Sequence, residues 1–273
     1  MQMSDERGAR TIRVMAVGDA VGRPGRNALK KLLPQLRSER GIDFIIANGE
    51  NSAGGKGISS ETAREMFAAG VDVITTGNHV WDNKDVYKII DSEQRLLRPA
   101  NFPQGMGVPG RGCAIYDVPE NGTQIAVINI MGRVHMAALE CPFRHVRAAL
   151  DHLPAEVKLV FVDFHAEATS EKIAMGWFLD GKVTCVFGTH THVPTADERL
   201  LHNGTAYITD IGMTGGYDGV IGVTVEPILQ RFLKGMPVRH EVAEENVKLS
   251  GIIVTADTDT GRALGIERLF VAV

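Results

Sequence analysis

Cysteine is scarce in this chain. Cys113, Cys141 and Cys185 are the only three in 273 residues, and none stands in C-x-x-C spacing. An odd count without that spacing excludes a disulfide framework, so the three are expected to be small buried hydrophobes of a reducing compartment. Long apolar runs are missing as well. No stretch approaches the length of a membrane span, and residues 1–13 lack the apolar segment of a secretory signal, so a cytoplasmic protein without membrane contact is expected. Nor is there an excess of positive charge: 29 Lys plus Arg face 33 Asp plus Glu, a net charge of -4. That balance argues against a broad nucleic-acid-binding surface and leaves room for a small anionic substrate held by metal. Repeats, low-complexity tracts and linker-like stretches are absent too. The glycine-rich run Ala53-Gly54-Gly55-Lys56-Gly57 matches neither G-x-G-x-x-G nor the P-loop, and is expected to be a mobile rim of a site.

What is present is a 44% apolar content, ample for a sizeable core, arranged in short runs that end in polar residues. Residues 12–17 are expected to form a buried strand ending at Gly18-Asp19, with a helix from Pro24 to about residue 40 that Pro34 kinks or divides. A second strand, 42–47, ends at Asn48-Gly49-Glu50-Asn51. A helix over 59–69 leads to a third strand, 71–76, ending at Gly77-Asn78-His79, and a further helix is expected over 83–92. This alternation implies parallel strands with right-handed crossovers, which place ligands beyond their carboxyl ends. Asp19, Glu50 and Asn78 should therefore share one rim.

Two runs, 113–118 and 124–130, flank Asn121-Gly122, the strongest hairpin signal in the chain; they imply an antiparallel portion, and residues 93–140 could be an insertion. A helix over 142–153 precedes a strand, 157–164, that ends in His165-Ala166-Glu167. A helix over 169–179 precedes the strand 183–187, which ends at Gly188-Thr189-His190-Thr191-His192. The last quarter holds a strand over 207–211, a loop over 212–217, a helix over 226–234 and two strands near 252–256 and 265–271. The expected organisation is a flexible tail, 1–11, and a single domain, 12–273.

Asp19, Glu50, Asn78, His165, His190 and His192 thus form a set of oxygen and nitrogen donors, each at the end of an apolar run. Six such groups exceed what one tetrahedral zinc takes and suit two metal ions sharing a bridging carboxylate. His190 and His192 would diverge on a regular strand, but in a loop both can turn to the same place. The donors allow Mn(II), Fe(II), Zn(II) or Co(II), and without thiolates the residues do not choose among them.

In order, Asp19, Gly49-Glu50-Asn51, Gly77-Asn78-His79, His165 and Gly188-Thr189-His190-Thr191-His192 resemble the ligand blocks of the calcineurin-like metallophosphoesterase superfamily. The runs from Gly18 to Arg26, from Asn48 to Asn51 and from Asp163 to Lys172 look more closely like the bacterial YmdB-type cyclic-nucleotide phosphodiesterases. The resemblance spans nearly the whole chain. It implies a four-layer α/β/β/α sandwich with two mixed sheets, and two divalent ions, Fe or Mn favoured. Two departures from the wider superfamily stand out: Val21 occupies the place of a usual histidine, and Glu50 that of a usual aspartate. By resemblance to the closer family, Asp19, Glu50, Asn51 and His192 are assigned to one ion, and Glu50, Asn78, His165 and His190 to the other.

The chemistry expected of such a centre is hydrolysis of a phosphodiester by a metal-bridged hydroxide, with the ions neutralising phosphate oxygens. His79 adjoins a ligand without being needed as one, and imidazole suits the role of general acid to the leaving alkoxide. The resemblance implies cyclic-nucleotide substrates, 2',3'-cyclic favoured and 3',5'-cyclic allowed; Arg133, Gly215 and Gly216 are candidate substrate contacts. A homo-oligomer is the common expectation for a soluble enzyme. Two other readings stay open: a different phosphatase or nucleotidase on the same centre, and a regulatory metal-binding protein that acts through a partner.

Overall fold

A computed structural model describes residues 10–118 and 122–273. Most of the expected tail, and Asn121 of the expected hairpin turn, lie outside the described residues. Thr11 already belongs to a strand.

In chain order the elements are β1 (Thr11–Val17), β2 (Asp19–Ala20), α1 (Gly22–Arg40), β3 (Phe44–Asn48), α2 (Ser60–Ala68), β4 (Val73–Thr75), β5 (Cys113–Asp117), β6 (Gln124–Met131), α3 (Pro142–Asp151) and β7 (Leu159–His165). They continue with α4 (Thr169–Leu179), β8 (Cys185–Thr189), β9 (Arg199–Leu200), β10 (Ala206–Ile208), β11 (Met213–Gly216), α5 (Val225–Lys234), β12 (Val247–Asp257) and β13 (Ala263–Ala272).

Two mixed sheets result. In the first, β1, β3 and β4 are parallel neighbours, and β12 runs antiparallel to β1. The long β12 also pairs with β11 and, along its whole length, with β13. In the second sheet β6, β7, β8 and β10 are parallel, and antiparallel β5 and β9 close its edges.

The period-two pattern of the strands explains the layering. Ile12, Val14 and Ala16 of β1 and Phe44 and Ile46 of β3 face Ile125, Val127, Phe161 and Phe187 of the second sheet, a core between the sheets. The alternate residues Met15, Val17, Ile45 and Ala47 pack against Leu29, Leu33 and Leu36 of α1 and Met66 of α2. On the far side Ala126, Ile128, Val160 and Val162 meet Val146 of α3 and Met175 and Leu179 of α4. Three apolar layers thus separate four layers of secondary structure, and each fully buried Ile or Phe contributes about 1.5–3 kcal/mol by leaving water. The carboxyl ends of β1, β3, β4, β7 and β8 open on one rim.

Several expectations need correction. The helix expected over 83–92 is only a 3-10 segment, Lys84–Lys88, capped by the Asn83 side chain, which accepts from Asp85 N–H. Val86 within it and Ile90 beyond it both enter the core, and Asp91 accepts from Gly110 N–H at 2.7 Å. α1 begins at Gly22 rather than Pro24 and runs through Pro34 undivided. The segment 93–140 supplies β5 and β6 to the second sheet. Residues 213–216, expected in a loop, form β11, paired with β2 and β12.

Candidate metal centre

All the expected metal ligands meet at this rim. Asp19 follows β1, Glu50 and Asn51 follow β3, Asn78 follows β4, His165 ends β7, and His190 and His192 follow β8. His165 Nε2 lies 3.1 Å from Glu50 Oε1, 3.0 Å from Asn78 Oδ1 and 3.1 Å from His190 Nδ1. Next to this group, His192 Nε2 is 3.0 Å from Asn51 Nδ2 and 3.9 Å from Asp19 Oδ1. Asn51 Nδ2 also donates to Glu50 Oε1 at 3.3 Å, so Glu50 stands between the two groups. The Asn51 amide turns its NH2 inward here; ligation would require a half-turn to present Oδ1.

The backbone is bent to achieve this. His190 has φ 100° and His192 φ 65°, left-handed values uncommon for residues other than glycine. They bring side chains two residues apart to the same place, as the sequence pattern demands. Gly77 is required for a different reason: a Cβ there would lie 2.2 Å from the His165 ring and 2.4 Å from Glu50 Oε2.

Each imidazole has its outward nitrogen engaged. Thr189 Oγ1 donates to Asp163 Oδ1 at 2.6 Å, so it receives the proton of His165 Nδ1, 2.9 Å away. His192 Nδ1 donates to the carbonyl of Ile221 at 2.9 Å, and His190 Nε2 lies 3.1 Å from Glu167 Oε2. These partners select the tautomers whose lone pairs, at His165 Nε2, His190 Nδ1 and His192 Nε2, point into the cluster. Asp163 is itself held by Thr75 Oγ1 at 2.5 Å and Asn48 Nδ2 at 3.2 Å, which ties the two sheets together directly behind the site.

The arrangement places acceptor against acceptor and calls for a cation. Among the described residues Asp19 Oδ1 finds no hydrogen-bond partner although it is buried. Burial pushes the Asp19 carboxyl up to about 6, against the pull of His192 and His165. Burial would likewise raise Glu50, but the charge and hydrogen bond of His165 outweigh it and bring Glu50 down to about 2. Burial opposes charge on His165; Glu50 overcomes it and lifts His165 to about 9. His190 is driven down to about 3 by burial and by the neighbouring His165. The surrounding carboxylates thus favour positive charge at the position of His165, and Glu50, His165 and His190 offer ligand atoms all within 4.8 Å of one another. The donor set fits hard or borderline divalent metal ions.

In front of the cluster is a cavity of about 780 Å³, lined among others by Glu50, Asn51, His79, His190 and His192. His79 N–H donates to Glu50 Oε2 at 3.1 Å, and its Nδ1 lies 2.8 Å from Asp82 Oδ2. The candidate substrate contacts fall elsewhere. Gly215 and Gly216 are buried in β11 against Val21 and Ala243 and do not line the cavity. Arg133 is exposed outside it, with its backbone N–H on Glu171. Sequence reading missed Glu167, Asp82 and Ile221. Two carboxylates near a histidine motif were a weak signal for the first two; nothing marks a carbonyl such as that of Ile221.

The family described as YmdB-like protein matches residues 15–269. The chain belongs to that family. It is 46% identical, over 95% of its own length and 97% of the other's, to a protein of Bacillus subtilis (strain 168) named 2',3'-cyclic-nucleotide 2'-phosphodiesterase. Its structure is similar to that of a Mycoplasma pneumoniae protein described as a novel phosphatase, with a TM-score of 0.91 and 35% identity over 97% and 95% of the two chains. A hypothetical protein from Thermus thermophilus gives a TM-score of 0.89 and 40% identity over 96% and 99%. For this YmdB-like chain the four-layer sandwich is the metallophosphoesterase fold, as the resemblance implied. Among the described residues no helix is long and apolar enough to cross a membrane.

Proposed function

We infer that this YmdB-like chain is a dinuclear metal-dependent phosphodiesterase acting on cyclic nucleotides, with 2',3'-cyclic nucleotides as the favoured substrates. The observation that carries the reading is the convergence of seven donor residues, with three histidine lone pairs aimed inward by Thr189, Ile221 and Glu167. The Bacillus subtilis relative supports the substrate class.

Asp19, Asn51 and His192 would hold one ion and Asn78, His165 and His190 the other, with Glu50 shared; Fe or Mn are favoured and Zn or Co fit the same donors. Bound divalent ions supply an activated water nucleophile and charge for the phosphate oxygens. The protein contributes the rest. Thr189, Asp163 and Glu167 keep the rings oriented, and the cavity walls receive the ester. Asp82 accepts from His79 Nδ1 and orients the ring, so the proton for the leaving alkoxide departs from Nε2. A small cyclic nucleotide is thus the partner, and a cytoplasmic homo-oligomer belongs to the same proposal.

The test is turnover of 2',3'-cyclic AMP by protein reconstituted with Mn(II) or Fe(II). Metal-dependent release of 3'-AMP is the expected result. No turnover by protein shown by elemental analysis to carry two metals would overturn the substrate assignment and redirect the search to phosphomonoesters, as the Mycoplasma pneumoniae relative would suggest.

A further inference from the structure

The cavity is far larger than a phosphate requires, and its lining divides by chain segment. The cluster and its neighbours supply the polar part. The stretch 220–242 supplies most of the remainder, including Val220, Ile221, Ile228, Arg231, Phe232 and Val242. This stretch is fastened to the cluster through His192, whose Nδ1 donates to Ile221 O at 2.9 Å. Ile221 pays for that contact with a φ of 47°, a value β-branched residues rarely adopt. The stretch also closes on itself: Val220 bridges Val223, Val223 bridges Val242, and Thr224 N–H donates to Glu241 O at 2.8 Å. α5 is therefore carried at a set position beside the cluster.

On α5 Ile228 turns into the protein, whereas Phe232 remains 80% exposed while lining the cavity. Ile221, 52% exposed, lines it too. Arg231 stands next to Phe232, with Nη1 3.4 Å from His240 Nε2, and brings guanidinium donors to the same wall. A cluster that binds phosphate cannot distinguish two phosphodiesters with the same ester ring, because the group it meets is common to both. Discrimination has to come from the part of the cavity that meets the alcohol groups.

We propose that Ile221 and Phe232 form an apolar shelf for the base of a nucleotide, with Arg231 donating to acceptor atoms on the base edge, so that residues 220–242 select nucleobase-bearing phosphodiesters over base-free ones. This rests on the phosphodiesterase reading above. Stacking of a base on an aromatic ring is sequence-tolerant, so the shelf takes several bases; the arginine favours purines, whose N7 edge it can reach.

The experiment compares 2',3'-cyclic AMP with glycerol 1,2-cyclic phosphate, the same five-membered ester without a base, and adds calorimetric binding of 3'-AMP to the manganese-loaded protein. In Phe232→Ala the ratio of kcat/KM for the two esters falls about tenfold and 3'-AMP binds about tenfold more weakly; Phe232→Trp restores both. Leu233→Ala removes a neighbouring side chain that is equally exposed but does not line the cavity, and it leaves the ratio as in the parent protein. If Phe232→Ala leaves 3'-AMP binding unchanged, the shelf is overturned. It is overturned equally if Leu233→Ala and Phe232→Ala lower the ratio alike while dissociating an oligomer, since α5 is then a subunit contact. Should the parent protein turn over neither ester while Phe232→Ala still weakens 3'-AMP binding, the shelf stands and the proposed reaction fails.

Discussion

Lys172 Nζ lies 2.5 Å from Asp210 Oδ2, and both side chains are buried directly behind the histidine loop. The same Nζ donates to Thr189 O at 2.8 Å, and the same Oδ2 accepts from Thr191 N–H at 3.2 Å. The pair therefore grips the chain on both sides of His190, whose φ of 100° persists because its neighbours leave it no alternative. Lys172→Met would strand the Asp210 charge in the interior, a loss of about 3–5 kcal/mol. A lowered melting temperature and loss of metal on dialysis are expected. The double variant Lys172→Met, Asp210→Asn should recover part of the melting temperature without recovering metal affinity. Full recovery of both would mean that the pair does not position the ligand loop.

Gly77→Ala tests the closeness of β4 to the cluster. Its Cβ would overlap the His165 ring and Glu50 Oε2, while the apolar layers stay untouched. The expected outcome is a folded protein, by circular dichroism, that retains far less Mn(II) by elemental analysis. Normal metal content would show that His165 and Glu50 yield easily.

The metal-free cluster should make stability depend on pH. Burial alone would lower His165, but Glu50, followed by Asp19 and Asp163, raises it from an ordinary 6.5 to about 9. A folded value above the unfolded one stabilises the fold fully below about pH 6.5, and that contribution disappears as pH rises through about 9. Chelated protein should therefore melt at a lower temperature at pH 9.5 than at pH 6.5. Metal must displace this proton, so Mn(II) affinity should climb over the same window, and the loss of melting temperature should shrink in loaded protein. A flat melting curve for chelated protein across the window would argue that His165 is neutral throughout.

His79→Ala removes the ring and keeps the backbone N–H that donates to Glu50 Oε2. Metal content should be kept, and turnover of esters with alkoxide leaving groups should fall about 10²–10⁴-fold. A nitrophenyl ester, whose leaving group needs no proton, should be much less affected. Asp82→Asn should show a weaker version of the same split. Equal losses on both esters would point to substrate positioning instead of acid catalysis.

Nearly continuous apolar stretches within runs such as 12–17 and 157–164 determined by themselves where the strands lie, because a strand whose two faces both enter a core is apolar on both sides. Their polar exits named Asp19, Glu50, Asn78 and the three histidines as one set before any contact was visible, since parallel strands deliver their carboxyl ends to one rim. Contacts between distant segments decided the rest. Gly215 and Gly216 became strand residues because β2 and β12 offered partners on both sides, and residues 89–92 left the helix expected there as Asp91 met Gly110. The direction of each imidazole lone pair was also a tertiary matter. It depends on Thr189, Glu167 and the carbonyl of Ile221, and a backbone carbonyl has the same composition at every position until folding places one within reach of His192.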